Sequence, residues 1–188
     1  MAGVSPAARE RSLLRSDLKS AVRGNNDAFG QIVNRYERTV FNSAYRIVGD
    51  QDDAADITQV TFVKVYEKIE TFNPTFKFFS WLYRISVNEA YNFRKKRMKV
   101  ATLEMDPKSN QPGPYEDLRQ LERCEHLERA LETMTYDYRV VVVLKHLMLL
   151  SYKEIASILE VPEKTVKSRL FSARQVLHRQ LMEQGYKA

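Results

Sequence analysis

The segment SYKEIASILEVPEKTVKSRLFSAR, residues 151–174, constrains this chain more than any other. Ser151 followed three residues later by Glu154 is a capping-box pattern, which satisfies two exposed backbone N–H groups at the start of a helix. Ile155, Ile158 and Leu159 give that helix one apolar side. Glu160-Val161-Pro162 interrupts it, and a second helix is predicted from Glu163. Val166, Leu170, Ala173, Leu177 and Leu181 recur at helical spacing and form its inner stripe. The opposite side carries Lys164, Ser168, Phe171 and Gln175, flanked by Lys167 and Arg174. Two helices joined by so short a turn read as a helix-turn-helix. An aromatic ring among cations is foreign to a merely solvated face. It suits a helix laid in a DNA major groove, where the ring meets a thymine methyl and the cations hold phosphates. The bland alternative is an ordinary helical hairpin.

The preceding elements are helical too. Pro114 is placed to open a helix through Tyr115, Leu118, Leu121, Leu127 and Leu131, and Thr135 to cap the next, YDYRVVVVLKHLML. The valine run favours a strand by propensity, but no second strand exists to pair with it, so a buried helix is expected. Upstream, Phe29, Ile32, Val33, Tyr36 and Val40 share a helical face that Gly49 ends. Asp50 is a candidate N-cap, with Asp52, Asp53 and Asp56 near the positive end of the next helix. In that helix Ala55, Phe62, Tyr66 and Ile69 are the expected buried stripe, with Asp53, Asp56, Gln59 and Lys64 opposite. The segment up to about residue 24 reads either as a short amphipathic helix through Leu13, Leu14 and Leu18 or as a frayed end.

TFNPTFKFFSWLYRI follows, in which Asn73-Pro74 demands a loop among aromatic residues. Core packing is the usual fate of such rings, but rings on a loop beside a basic helix also hold unstacked bases. The helix expected from Ser80 to about Arg97 places Phe78, Leu82, Ile85, Ser86 and Phe93 on one side. Arg84, Asn88, Tyr91, Asn92 and Lys95 fall on the other. The first set is apolar apart from Ser86. The second combines phosphate binders with groups that hydrogen-bond to base edges.

Charge follows the same division. Residues 1–99 have net charge +6, residues 100–137 have −5, and residues 138–188 have +5. The acidic stretch includes VATLEMDPKSNQPGP, a non-periodic linker with three prolines. The expected organisation is therefore all-α: an N-terminal segment 1–24, a helical domain 25–99, an acidic flexible linker 100–114 and a helix-turn-helix domain 115–188. The single cysteine, Cys124, excludes an intrachain disulfide and suits a reducing compartment. No apolar run is long enough for membrane insertion and no signal peptide is evident, so a cytoplasmic protein is expected. The three histidines are separated and Cys124-Glu125-His126 is too short for a metal site, so no metal, cofactor or catalytic machinery is expected.

In combination these motifs resemble the bacterial extracytoplasmic-function (ECF, group 4) RNA polymerase sigma factors. DQDDAADITQVTFVKVYEKI is similar to the family's region 2.2, FKFFSWLYRISVNEAYNFRKKR to regions 2.3 and 2.4, and YRVVVVLKHLMLLSYKEIASILEVPEKTVKSRLFSAR to region 4. The resemblance implies a non-enzymatic factor that binds core RNA polymerase through its β′ and β subunits. Such a factor directs promoter recognition, DNA melting and transcription initiation. It places Asp53, Asp56 and Gln59 against polymerase. It places Asn73, Thr75, Phe76, Lys77 and Phe78, with Asn88, Tyr91, Asn92, Arg94 and Lys95, on the minus-ten element. Lys164, Thr165, Lys167, Ser168, Phe171 and Arg174 fall on the minus-thirty-five element, and Trp81 in the core. Many members are held by an anti-sigma factor, which adds that partner class. The chain departs from the family pattern at Met134-Thr135, where Leu-Pro is usual, at Ser172, where a basic residue is common, and in a minus-ten loop without the common glycine.

Two other functions fit some of the same residues. An autonomous helix-turn-helix regulator accounts for residues 138–182 and leaves the first domain idle. A nuclease would need converging carboxylates, and Asp50, Asp52, Asp53 and Asp56 are better explained by a helix N-terminus.

Overall fold

The computed structural model describes residues 6–101 and 127–183, and all regular structure there is helical. The first domain holds α1 (Pro6–Val22), α2 (Asn26–Val48), α3 (Gln51–Lys68) and α4 (Phe78–Ala101), with a 3-10 turn at Ile69–Thr71. The second holds the helical residues 127–132 (α5), α6 (Tyr136–Val142), α7 (Tyr152–Leu159) and α8 (Glu163–Glu183). Of the linker expected at 100–114, residues 100 and 101 belong to the end of α4, and residues 102–114 and most of the helix expected from Pro114 lie outside the described residues.

Helix boundaries follow local chemistry. The Asn25 side chain accepts from Ala28 N at 3.0 Å to start α2, and Gly49 ends it at φ 81°, a conformation a side chain would disfavour. Asp50 accepts from Asp53 N at 3.0 Å to start α3. The Ser151–Glu154 capping box is complete, and Glu160 closes α7 in the left-handed region at φ 54°. The valine run is helical, as expected. Its end widens into a π turn, Val143–Leu147, and Leu149 beyond it is left-handed at φ 54°.

The packing corrects two sequence expectations. In α3 the buried stripe is Ala54, Ile57, Thr58, Thr61, Phe62 and Val65; Tyr66 is exposed and Ala55 only half-buried. The buried threonine hydroxyls donate to Ala54 O and Ile57 O, so their polarity is satisfied inside the helix. Helix α4 starts at Phe78 rather than Ser80, and Phe78 is 4% exposed. It packs with Tyr36, Phe72 and Trp81, which makes it a core residue beneath the loop. Trp81 is partly buried in the same cluster, as expected.

Two apolar cores result. One lies within the first domain and joins Ala21, Ile32, Val40, Phe62, Val65, Ile69, Phe78 and Leu82. The other crosses the domain boundary. It combines Ala44, Ile47, Ala54, Ile57, Tyr83, Val87 and Ala90 with Leu131, Met134, Val140 to Leu144, Leu150, Ile155, Leu170 and neighbours. The two domains are therefore packed on each other through α2 and α4, a contact that no local sequence pattern announces.

Candidate nucleic-acid interface

The loop between α3 and α4 is shaped by one side chain. Asn73 Oδ1 accepts from Thr75 N at 3.0 Å and from Thr75 Oγ1 at 2.8 Å, and Phe76 N donates to Asn73 O at 3.1 Å. With Pro74 at the second position, this is a tight turn stiffened by an Asx bond. The turn leaves the Phe76 ring 67% exposed at the surface. Asn73, Thr75 and Lys77 are also exposed, while the Lys77 ammonium meets the Glu154 carboxylate of α7 at 2.7 Å. Phe78, one residue further, sits inside, so the turn separates an outward ring from an inward one.

Along α4, Arg84, Asn88, Tyr91, Asn92, Arg94 and Lys95 are all exposed, and Leu82, Tyr83, Ser86, Val87 and Ala90 are buried. The polar sector thus continues from the loop along one helix. Part of it touches the second domain. The Tyr91 ring lies 5.7 Å from that of Tyr136, and the Arg94 guanidinium lies 5.2 Å from the same ring. Arg84 pairs with Glu160 at the end of α7.

The α8 surface forms a second basic stripe. Lys164, Lys167, Ser168, Phe171 and Arg174 are exposed, Thr165 is half-buried, and Val166, Leu170 and Ala173 hold the helix to its domain. Phe171 is 66% exposed. From Lys164 to Arg174 the stripe runs about 15 Å, commensurate with a major groove about 12 Å wide. Lys167 lies over the Tyr152 ring at 5.7 Å and Lys145 over the same ring at 4.7 Å. At the edge of this surface burial lowers the His146 pKa, helped by Arg174 and Lys145, so the ring favours its neutral form.

Helix α3 presents a third surface. Asp52, Asp56, Gln59, Val60, Val63 and Glu67 are exposed, with Val63 at 57%. Asp53 is turned inward and pairs with Arg97 of α4. The sequence expectation thus divides: Asp56 and Gln59 face outward, and Asp53 braces α4. Val60 and Val63 were missed. Their signal was present, as two β-branched apolar residues out of phase with the buried stripe. Among the described residues no group of His, Cys, Asp and Glu is arranged to hold a metal ion, and no helix is long and apolar enough to cross a membrane.

These surfaces coincide with known sequence families. The Sigma-70 region 2 family matches residues 32–100, and the Sigma-70, region 4 family matches residues 124–177. The chain is 31% identical to the ECF RNA polymerase sigma factor SigW of Bacillus subtilis (strain 168), covering 91% of this chain and 98% of that protein. It is 32% identical to the ECF RNA polymerase sigma-E factor of Escherichia coli (strain K12), covering 82% and 87%. Its structure is similar to that of CnrH solved in complex with the cytosolic domain of CnrY, with a TM-score of 0.69 and 26% identity over 91% of this chain and 98% of that one. It is also similar to the sigma factor RpoE of Bartonella quintana solved with the anti-sigma factor NepR, with a TM-score of 0.70 and 25% identity over 82% and 96%. The two matched regions and the near full-length relatives place this chain among the ECF RNA polymerase sigma factors, the subunits that direct core RNA polymerase to promoters.

Proposed function

We propose that the three surfaces divide the work of this sigma factor. The α3 stripe of Asp56, Gln59, Val60 and Val63 docks on core polymerase, and Asp53 contributes by fixing Arg97. The loop Asn73, Thr75, Phe76 and Lys77 captures an unstacked base of the minus-ten element during melting. Asn88, Tyr91, Asn92, Arg94 and Lys95 hold its upstream edge. Phe78 supports the loop from the core instead of touching DNA. Lys164, Thr165, Lys167, Ser168, Phe171 and Arg174 read the minus-thirty-five duplex. The action is by binding, without catalysis, and it takes place in the cytoplasm.

One observation carries this reading. Two separate basic surfaces each present a solvent-facing ring, Phe76 and Phe171, held outward by well-formed local structure. A ring with a π-face open to solvent suits base stacking, and a ring beside cations on a recognition helix suits a thymine methyl. An anti-sigma factor is a further partner in this proposal, because the similar structure of the sigma factor RpoE was solved with one.

The docking surface is tested by Asp56→Lys and Val63→Asp. Both positions are exposed, so circular dichroism and thermal unfolding should be unchanged. Affinity for sigma-free core polymerase should fall at least tenfold. Unchanged core affinity in both variants would remove α3 from the interface.

A further inference from the structure

Two lysines from different elements converge on one aromatic ring beside the α8 stripe. Lys145 Nζ lies over the Tyr152 ring at 4.7 Å and Lys167 Nζ over the same ring at 5.7 Å. Lys145 belongs to the π turn Val143–Leu147, Tyr152 opens α7, and Lys167 stands on α8. The backbone after the π turn makes the meeting possible. Leu149 is left-handed at φ 54°, and the chain turns back so that Leu150 N donates to Leu144 O at 3.1 Å. Lys145 Nζ donates to Leu150 O at 3.1 Å, and Tyr152 follows two residues on. That bond uses one of the three ammonium donors of Lys145.

Two ammonium groups on one ring repel each other, and the electron-rich face offsets part of that repulsion. A carboxylate is the usual counterion in such a place. Among the described residues none pairs with either lysine: Glu154 pairs with Lys77, Glu160 with Arg84, and Asp137 with Arg169. The same corner is crowded with further positive charge. Burial, and then Arg174 and Lys145, lower the His146 pKa, so a cation of the α8 stripe and Lys145 act on one imidazole. Positive charge gathered around a ring, with no anion of the chain to balance it, suits an anion from outside. The surface it borders is the one assigned above to duplex DNA, whose backbone supplies phosphates.

We propose that Tyr152 is a positioning residue that gathers Lys145 and Lys167 onto one stretch of phosphate backbone at the minus-thirty-five duplex, which makes Lys145 a DNA contact as well. The proposal rests on the minus-thirty-five assignment made above. Each lysine has a flexible four-carbon stem that spreads into solvent when nothing holds it. Held on the ring, both have less freedom to lose when a phosphate arrives.

The test uses the full-length chain and a substitution that changes no charge. Tyr152→Leu removes the aromatic face, and circular dichroism with thermal unfolding verifies the fold. Anisotropy reads binding to a fluorescein-labelled random-sequence duplex of about 20 base pairs over a series of salt concentrations. Tyr152→Leu should bind about fivefold more weakly, and its slope of log affinity against log salt should fall by about 0.9 or more, the value for one released counterion. Tyr152→Phe keeps the face and should match the parent. Added to the double variant Lys145→Ala, Lys167→Ala, Tyr152→Leu should change neither reading further. Lys145→Ala alone should lower the slope by about 0.9 with the ring intact, and it covers the case in which Tyr152→Leu fails to fold. An unchanged slope in Lys145→Ala overturns the proposal. So does a Phe variant as weak as the Leu variant, or a further loss in the double-lysine background, since the ring would then act by touching DNA itself. Lys164→Ala separates the two levels of the argument. If it weakens binding while Tyr152→Leu matches the parent, the positioning role alone fails; if it leaves binding unchanged, the minus-thirty-five assignment fails and the proposal with it.

Discussion

Arg139 Nη1 donates to the Ile47 carbonyl oxygen at 2.9 Å, so a cation of the second domain caps the last turn of α2 in the first. The same guanidinium donates through Nη2 to Glu132 O at 2.6 Å and to Met134 O at 3.4 Å. The C-terminal end of a helix carries partial negative charge, which favours a cation there. Burial, with Arg94 nearby, lowers the Arg139 pKa without threatening its charge at neutral pH. The contact joins residues 92 positions apart and fixes where the second domain sits.

Arg139→Ala leaves these carbonyls without their donor and should cost about 1.5–3 kcal/mol of stability, the range for bonds to charged groups. Arg139→Lys should recover only part, since an ammonium lacks the planar fork that spans several carbonyls. Urea unfolding followed by circular dichroism measures both. A cost below about 0.5 kcal/mol, the range of ordinary surface changes, would show that the contact adds nothing.

Tyr83 is fully buried, and its hydroxyl donates to Thr39 O. Burial pushes its pKa well up, so the phenol stays neutral throughout the useful pH range. Tyr83→Phe keeps the ring and removes the donor, and should cost about 1 kcal/mol. Tyr83→Ala also opens a cavity in a core shared by both domains and should cost about 3–5 kcal/mol. The ratio of the two losses in denaturant melts separates packing from hydrogen bonding at this position.

The Lys77 ammonium, then the Ser151 hydroxyl and backbone N–H, hold the Glu154 carboxyl at about 2, below its ordinary value of 4.5. The folded form therefore binds this proton less readily than the unfolded chain. The resulting stability is complete above about pH 4.5 and is lost as pH falls toward 2. Glu154→Gln should flatten the acid limb of the stability curve between those values, measured as urea midpoints against pH. An acid limb of unaltered slope would show that the carboxylate is unpaired in solution.

Lys167 is exposed on the α8 stripe and is assigned to a phosphate. Lys167→Ala should weaken minus-thirty-five duplex binding uniformly across sequences. It should also reduce the slope of log affinity against log salt by about 0.9, the value for one released counterion. An unchanged slope would remove Lys167 from the backbone contacts.

Much of this arrangement was legible in the chain because the signals are local. Ser151 with Glu154, Asp50 before its helix and Gly49 after another each satisfy orphan backbone groups within four residues, so their roles follow from spacing alone. The α8 stripe was legible for the same reason: its apolar and polar residues separate cleanly at helical spacing. Helix α3 was less so. Val60 and Val63 add apolar residues to its exposed side, which blurs the amphipathic pattern and shifted the expected stripe toward Ala55 and Tyr66. Phe78 was assigned to the loop because only one residue separates it from Phe76, and the turn that divides them depends on Asn73 and Thr75. The contacts of Arg139, Tyr136, Glu154 and Glu160 with the first domain had no local signature. They join segments far apart in sequence, and on a single helix each would pass for an ordinary surface or cap residue.

The most direct measurement is core-dependent transcription. Purified protein is added to sigma-free bacterial core polymerase with fragmented bacterial genomic DNA, and the run-off transcripts are sequenced. Discrete start sites sharing two spaced upstream motifs are the predicted result, and they should disappear with Asp56→Lys. Absence of transcripts, together with specific duplex binding by the protein alone, would contradict the account and favour an autonomous regulator.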